Sequence, residues 1–247
     1  MNILLTGGTG FLGSKIIDSN LFNNLFYPTR EEMDLTDITS IKRFLMANQI
    51  DIVIHCAALA RMNKCQNDPD YAITNNIIGT SNLVVQMIEE CKRTKTISRF
   101  IHISTDAVYP GDDGNYDENS KTIPYNNYGW SKLGAECAVR LLPNHVIVRT
   151  RFFDEEKIIF KTSATDIYTS SIPVIDLVKS LHKLIDSDFI GTINIGLDRM
   201  SDFDRKIQYK PSITKTTRAV VEKEAGISLP GDSSMDCSLW GKIFKTF

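Results

Sequence analysis

Met1-Asn-Ile-Leu-Leu-Thr-Gly-Gly-Thr-Gly-Phe-Leu-Gly13 is the stretch that decides the fold of this 247-residue chain. A short apolar run passes directly into glycines at positions 7, 10 and 13, and an amphipathic segment follows. That order reads as strand, phosphate loop, helix. Gly7 permits a tight turn, Gly10 lets the backbone approach a pyrophosphate, and Gly13 lets the helix pack close to the strand, with its first amides facing the anion. A GxxGxxG string alone is weak evidence, and its place between an Ile-Leu-Leu strand and a helix makes it a dinucleotide-binding signal.

Working outward, apolar strand candidates recur at Asn2 to Thr6, Leu25 to Thr29, Asp51 to Cys56, Arg99 to Ser104, His145 to Thr150 and Thr192 to Ile195. Helical patterns fall between them at Phe11 to Ser19, Thr39 to Ala47, Asp70 to Lys92, Asn127 to Leu142 and Val174 to Ile185. Strands alternating with helices predict an α/β chain, a doubly wound parallel sheet of the Rossmann type with its ligand crevice at the carboxyl ends of the strands. Residues 1–150 are expected to form the NAD(P)-binding core. In 151–247, about 174–196 completes the core and the remainder, rich in Lys, Thr, Ser, Pro and Gly after Met200, forms a small substrate cap.

Composition narrows the partners. The formal net charge is -2 and no basic run occurs, which argues against nucleic acid or an anionic membrane surface. No transmembrane-length apolar stretch or signal peptide is visible, so the cytoplasm is the expected location. Five cysteines without a CxxC pair and four scattered histidines suggest neither a disulfide framework nor a metal site. Reduced, mostly buried thiols are expected.

The second constellation is Tyr128-Gly-Trp-Ser-Lys132. Residues four apart on a helix share a face, so phenol and ammonium can enter one crevice. A nearby ammonium favours phenolate and would lower the tyrosine pKa from its reference of about 10, making a proton donor and acceptor usable near neutral pH. In isolation such a pair ordinarily marks an exposed helix face, and the N-terminal glycine loop is what gives it a chemical reading.

TGGTGFLG, His55-Cys-Ala-Ala-Leu59, Asn76-Ile-Ile-Gly-Thr80, Ile103-Ser-Thr-Asp-Ala-Val-Tyr109, YGWSK and Val146-Ile-Val-Arg-Thr150 stand in the order and spacing of the extended short-chain dehydrogenase/reductase family. The chain resembles its nucleotide-sugar branch, most nearly the dTDP-4-dehydrorhamnose reductases, from Met1 to about Gly196. The resemblance implies that Tyr128 is the general acid that protonates a carbonyl oxygen as hydride arrives from a nicotinamide, that Lys132 binds the nicotinamide ribose and tunes Tyr128, and that Thr105 hydrogen-bonds the same oxygen. It implies a cofactor groove formed by Gly7, Thr9, Gly10, Phe11, Leu12 and Gly13, with Ala57, Ala58 and Leu59 as its small-residue wall and Asp34 and Leu35 flanking adenine. Asn63, Thr105, Asp106 and Phe152 are the candidate substrate contacts, and Asn76 reads as structural or water-ordering. The implied partner is a nucleotide sugar in dTDP-rhamnose and polysaccharide synthesis, and a homodimer is compatible with the family.

Thr29 and Arg30, at the end of the second strand, favour NADP(H) over NAD(H), because an Arg there accommodates the 2′-phosphate whereas a carboxylate would bind the ribose hydroxyl. Asp37, opening Asp-Ile-Thr-Ser, is read as a helix N-cap. Dehydratases of the family follow this Thr with Asp and Glu, and bifunctional epimerase-reductases carry a cysteine where Ala107 stands; this chain has Thr105-Asp106-Ala107. Simple carbonyl reduction is therefore expected, with a cofactor-retaining epimerase or a non-catalytic NADP-binding regulatory subunit as alternatives. Asp154, Glu155 and Glu156 are awkward beside a diphosphate and are read as surface charges, with Arg151 and Lys157 available to offset them.

Overall fold

Six parallel strands form the central sheet of the computed structural model, which describes residues 1–244. They are β1 (Ile3–Thr6), β2 (Leu25–Phe26), β3 (Ile52–His55), β4 (Arg99–Ile103), β5 (His145–Thr150) and β6 (Gly191–Ile195), in the spatial order β6-β5-β4-β3-β1-β2. The chain steps from β1 to β2 in one direction and then returns past β1 to β3, so the topological switch lies between β1 and β3. Ligands of doubly wound sheets bind at that point, beyond the carboxyl ends of the strands. The second strand is shorter than the sequence predicts. It ends before Pro28, which has no amide hydrogen for a ladder.

Helices cover both faces. On one, α1 (Phe11–Asp18) and α5 (Val174–Ile185) pack over Ile3, Leu5, Ile54, Ile101 and Val148. On the other, α2 (Ile38–Ala47), α3 (Gly79–Thr94) and α4 (Asn127–Val139) pack over Leu4, Val53, Phe100 and Ile147. Asp37 caps α2 as expected, its Oδ1 accepting from the Thr39 amide at 2.9 Å. The single long helix predicted over Asp70 to Lys92 is instead three pieces: a turn at Pro69–Ala72, a π-helical stretch at Ile73–Ile78, and α3. The π segment puts Asn76 inside the protein, where its amide brackets the Leu59 backbone (Leu59 N to Oδ1 2.6 Å, Nδ2 to Leu59 O 3.1 Å) and donates to Ser131 Oγ at 2.8 Å. Asn76 therefore ties the cleft wall to α4, and π bulges in helices commonly mark such functional positions.

The segment after Met200 is more than a cap. Asp202–Ile207 and Arg218–Ala225 are short outer helices, and none of the latter's residues is buried. The chain then turns inward: Ser233 and Ser234 are fully buried, Met235 bridges to Tyr116, and Trp240 of Ser238–Phe244 joins the core beside α5. Small polar residues in sequence suggest a loop, yet they bury readily when partners await them. Here Ser233 Oγ donates to Asp106 Oδ2 at 2.7 Å, and Ser234 Oγ accepts from the Asn115 amide at 2.8 Å. Among the described residues no helix is long and apolar enough to cross a membrane. All five cysteines are free, but Cys65 alone is fully buried and Cys137 is exposed, against the expectation of mostly buried thiols.

Candidate active site

The glycine loop takes the shape its sequence demands. Gly7 has φ +73°, and a Cβ there would lie 2.7 Å from the Ala57 amide nitrogen, so only glycine lets β1's turn lie against the end of β3. A Cβ on Gly13 would lie 2.2 Å from Gly7 O, so α1 starts directly against the loop. Gly10 is the N-cap of α1 and offers no side-chain acceptor, leaving the first amides of the helix free for an anion.

A cavity of ≈ 320 Å³ opens beside this loop at the switch point. Gly7, Thr9, Gly10, Arg30, Asp34, Leu35, Ala57, Ala58 and Leu59 line it, all predicted. Phe11, Leu12, Gly13 and Thr29 do not line it. Leu12 and Gly13 are buried behind the loop, Phe11 stacks on Phe152 with ring centroids 5.9 Å apart, and Thr29 is an exposed turn residue whose amide donates to Glu32 at 2.7 Å. Alternation along a helix explains the first two: Phe11 and Leu12 point in different directions from the same turn. Tyr71 and Asn75 line the cavity although no sequence motif marked them; they arrive there through the turn and π segment after β3.

At the inner end, toward Cys56 of the cavity lining, Thr105 and Tyr128 come close together, and Lys132 stands one turn on from Tyr128 in α4. Thr105 sits just past β4, caps the short helix Asp106–Val108, and brings its hydroxyl near the Tyr128 side chain. Gly129 makes this approach feasible, since a Cβ on it would stand 2.2 Å from Ala107 O. The electrostatics differ from expectation. Tyr128 is pushed up, first by burial and then by the Asp106 carboxylate, with only the Thr105 hydrogen bond opposing; Lys132 takes no part. Lys132 is itself brought down to about 8 by burial, against the pull of Glu136 and Cys56. Helical spacing places both groups on one face, but desolvation of each outweighs their mutual effect. The phenol is thus held in its proton-donating form. Lys132 is 3% exposed, and its ammonium makes no hydrogen bond or ion pair among the described residues.

A buried polar layer backs this end. One pleat beyond Leu4, Val53, Phe100 and Ile147, the same sheet face carries Thr6, His55, His102 and Arg149. His55 Nδ1 lies 2.6 Å from Thr6 Oγ1 and Nε2 lies 2.9 Å from Thr80 Oγ1; Thr6 in turn accepts from the Ala57 amide at 3.3 Å, fixing the cleft wall. Burial takes His55 down to about 3 and His102 well below its ordinary value, so both are neutral. Arg149 forms a two-pronged pair with Glu136 of α4 at 3.1 and 2.8 Å, and donates to Tyr109 at 3.0 Å. Ser104 Oγ donates to Glu136 at 2.6 Å.

The candidate substrate residues divide. Asp106 is beside Tyr128, but its carboxylate is held by Thr105 (3.0 Å), Ser233 (2.7 Å) and Arg151 (3.4 Å). Arg151 also approaches Asp202 at 3.9 Å, and this pairing accounts for its cation without any diphosphate. Phe152 lines an adjoining hollow of ≈ 230 Å³ with Arg151, Lys157 and Asp202. Asn63 is exposed on Met62–Asn67, and no contact brings it to Tyr128. The three carboxylates have local tasks: Glu155 accepts from the Val174 amide at the start of α5, and Asp154 and Glu156 face Lys15 at 4.0 and 3.5 Å. Together the unpaired helix amides, the cavity and the unpaired ammonium fit a dinucleotide.

Over 153 residues the chain is 33% identical to dTDP-4-dehydrorhamnose reductase of Mycolicibacterium smegmatis, covering 60% of this chain and 44% of that protein. It is 31% identical over 147 residues to methionine adenosyltransferase 2 subunit beta of Bos taurus, covering 56% and 42%. The chain spans less than half the length of these two curated relatives. A crystal structure of dTDP-4-dehydrorhamnose reductase from Bacillus anthracis in complex with NADP superposes with a TM-score of 0.86 at 23% identity, over 99% of this chain and 94% of that one. The family described as the RmlD substrate binding domain matches residues 1–162, and the chain belongs to it.

Proposed function

We propose that this protein is an NADPH-dependent reductase of a nucleotide-linked 4-keto-6-deoxy sugar, acting in activated deoxysugar synthesis of the dTDP-rhamnose type. The observation that supports the reading is the approach of Thr105 to Tyr128 together with a cavity walled by the glycine loop, with Lys132 one helical turn further along α4. NADPH, when bound, supplies the hydride. Tyr128 gives its proton to the carbonyl oxygen, and burial that keeps the phenol protonated suits it to that single task. Thr105 orients the same oxygen. The Lys132 ammonium would hold the ribose hydroxyls and stabilise the phenolate left on Tyr128. The adjacent Asp106, fully engaged by Ser233 and Arg151, is badly placed to act as a second acid or base, which supports reduction over dehydration. Phe152 and Arg151, which line the separate hollow of ≈ 230 Å³, are our candidates for the sugar side. Cytoplasmic location suits five free thiols, and a homodimer is the assembly we favour.

The test is stoichiometry. Purified protein given NADPH and a panel of dTDP-, UDP- and GDP-linked 4-keto-6-deoxy sugars should oxidise one cofactor per sugar reduced. Conversion with no net change at the reduced-nicotinamide band would mean an epimerase. Folded, NADPH-bound protein that leaves every sugar untouched would mean a binding subunit, a reading that the likeness to a methionine adenosyltransferase subunit keeps in view.

A further inference from the structure

The adenosine end of the cleft has two walls, and their side chains meet across it. Arg30, from the loop after β2, is paired with Asp34 at 3.1 Å and lies near the side chain of Tyr71, which comes from the turn after β3. Arg30, Asp34 and Tyr71 all line the cavity. The Asn75 amide holds the Tyr71 carbonyl at 2.8 Å, and Lys64 Nζ sits 4.5 Å from the centre of the Tyr71 ring. Lys64 has no ion-pair partner among the described residues, so one tyrosine is flanked by two cations, one neutralised and one not.

Charge balance gives this arrangement a use. A ribose 2′-phosphate carries between one and two negative charges near neutral pH. The Arg30–Asp34 pair is close to neutral as it stands, and Asp34 would repel the newcomer, so Arg30 alone gives little net attraction. A second cation is required, and Lys64, seated on the ring of the cavity-lining Tyr71, is available to supply it. Resting on the reading of the cleft as an NADPH site, we infer that Tyr71 and Lys64 form the second half of the subsite that distinguishes a 2′-phosphate from a 2′-hydroxyl. Tyr71 is the shelf: its ring seats the lysine by cation–π attraction and its phenol side steadies the arginine. Lys64 supplies the charge that Asp34 cancels.

The experiment uses adenosine 2′,5′-bisphosphate and 5′-AMP, which occupy this end alone and need no turnover. Isothermal titration at fixed ionic strength gives the ratio of their affinities for wild type, Lys64→Met, Lys64→Arg and Tyr71→Leu, with circular dichroism confirming the fold. Lys64→Met should lower the preference for the bisphosphate about tenfold, while 5′-AMP changes by less than about twofold. Lys64→Arg should retain most of the preference, and Tyr71→Leu should lose most of it. An unchanged ratio in Lys64→Met, or equal losses for both ligands, overturns the inference and leaves the NADPH reading intact. Wild-type protein that binds 5′-AMP as tightly as the bisphosphate overturns the NADPH reading itself.

Discussion

The two ends of the cleft hold charge in opposite ways. At the inner end, Glu136 and Arg149 are 0% and 2% exposed and fastened to Ser104 and Tyr109; at the outer end, Arg30 and Asp34 are 58% and 33% exposed and joined by one hydrogen bond. A buried pair is hard to replace, because removing one partner strands the other in a medium that cannot solvate it. An exposed pair contributes little and exchanges readily with a ligand. The inner end therefore fixes the helix that carries Tyr128 and Lys132, and the outer end stays free to trade partners.

The largest effect should come from the chemistry that the inner end positions. Tyr128→Phe removes a hydroxyl with nearly no change in volume, so kcat should fall about 10²- to 10⁴-fold while NADPH affinity stays within a few-fold. Turnover within twofold of wild type would show that Tyr128 is not the proton donor. Next, Glu136→Gln leaves the Arg149 charge without its carboxylate and should cost about 3 kcal/mol in urea unfolding. A loss below about 1 kcal/mol would mean that the buried pair is replaceable and the contrast between the two ends is false.

Acid should find the inner end as well. His55 and His102 have folded-state pKa values below their unfolded ones, so the unfolded chain binds more protons and stability falls as pH drops below about 6.5, for His55 down to about 3. Each adds a slope of about 1.4 kcal/mol per pH unit in that window. His102→Asn should flatten the profile relative to wild type, and a parallel profile would place the acid sensitivity elsewhere. The smallest effect belongs to the outer end. Arg30→Ala should weaken NADPH about tenfold, leave NADH nearly unchanged, and alter stability by less than about 1 kcal/mol. Equal losses for both cofactors would reduce Arg30 to a loop-stabilising role.

Much of the inner end was readable because its rules are local. Gly7 and Gly10 declared the loop, and the alternation of apolar runs and helices declared the sheet. The polar layer is also written in the strands: Ile52-Val-Ile-His55, Phe100-Ile-His102 and Val148-Arg149 each change from apolar to polar near the carboxyl end, two residues on from a core side chain. Tyr128 and Lys132 announced themselves by spacing, but their electrostatics did not. Helical spacing says which groups share a face, whereas the direction of a pKa shift depends on how much water each has lost and on Asp106, twenty-two positions before Tyr128. Tyr71 and Ser233 carry no local signal, whereas Lys64, beside Asn63, follows the third strand at the mouth of the crevice. Tyr71 reaches the cleft because the chain forms a turn and a π segment where periodicity predicts one continuous helix.

The sequence by itself determined the glycine turn, the parallel sheet and its helices, and the helix that carries Tyr128 and Lys132, because backbone sterics and helical or pleated periodicity act over a few residues. Only the tertiary structure decided which charges are buried and therefore fixed, and which are exposed and free to exchange. It also decided that Ser233 holds Asp106 and that Tyr71 faces Arg30. Those outcomes follow from burial and from contacts between segments distant in the chain, and no short window of sequence contains either.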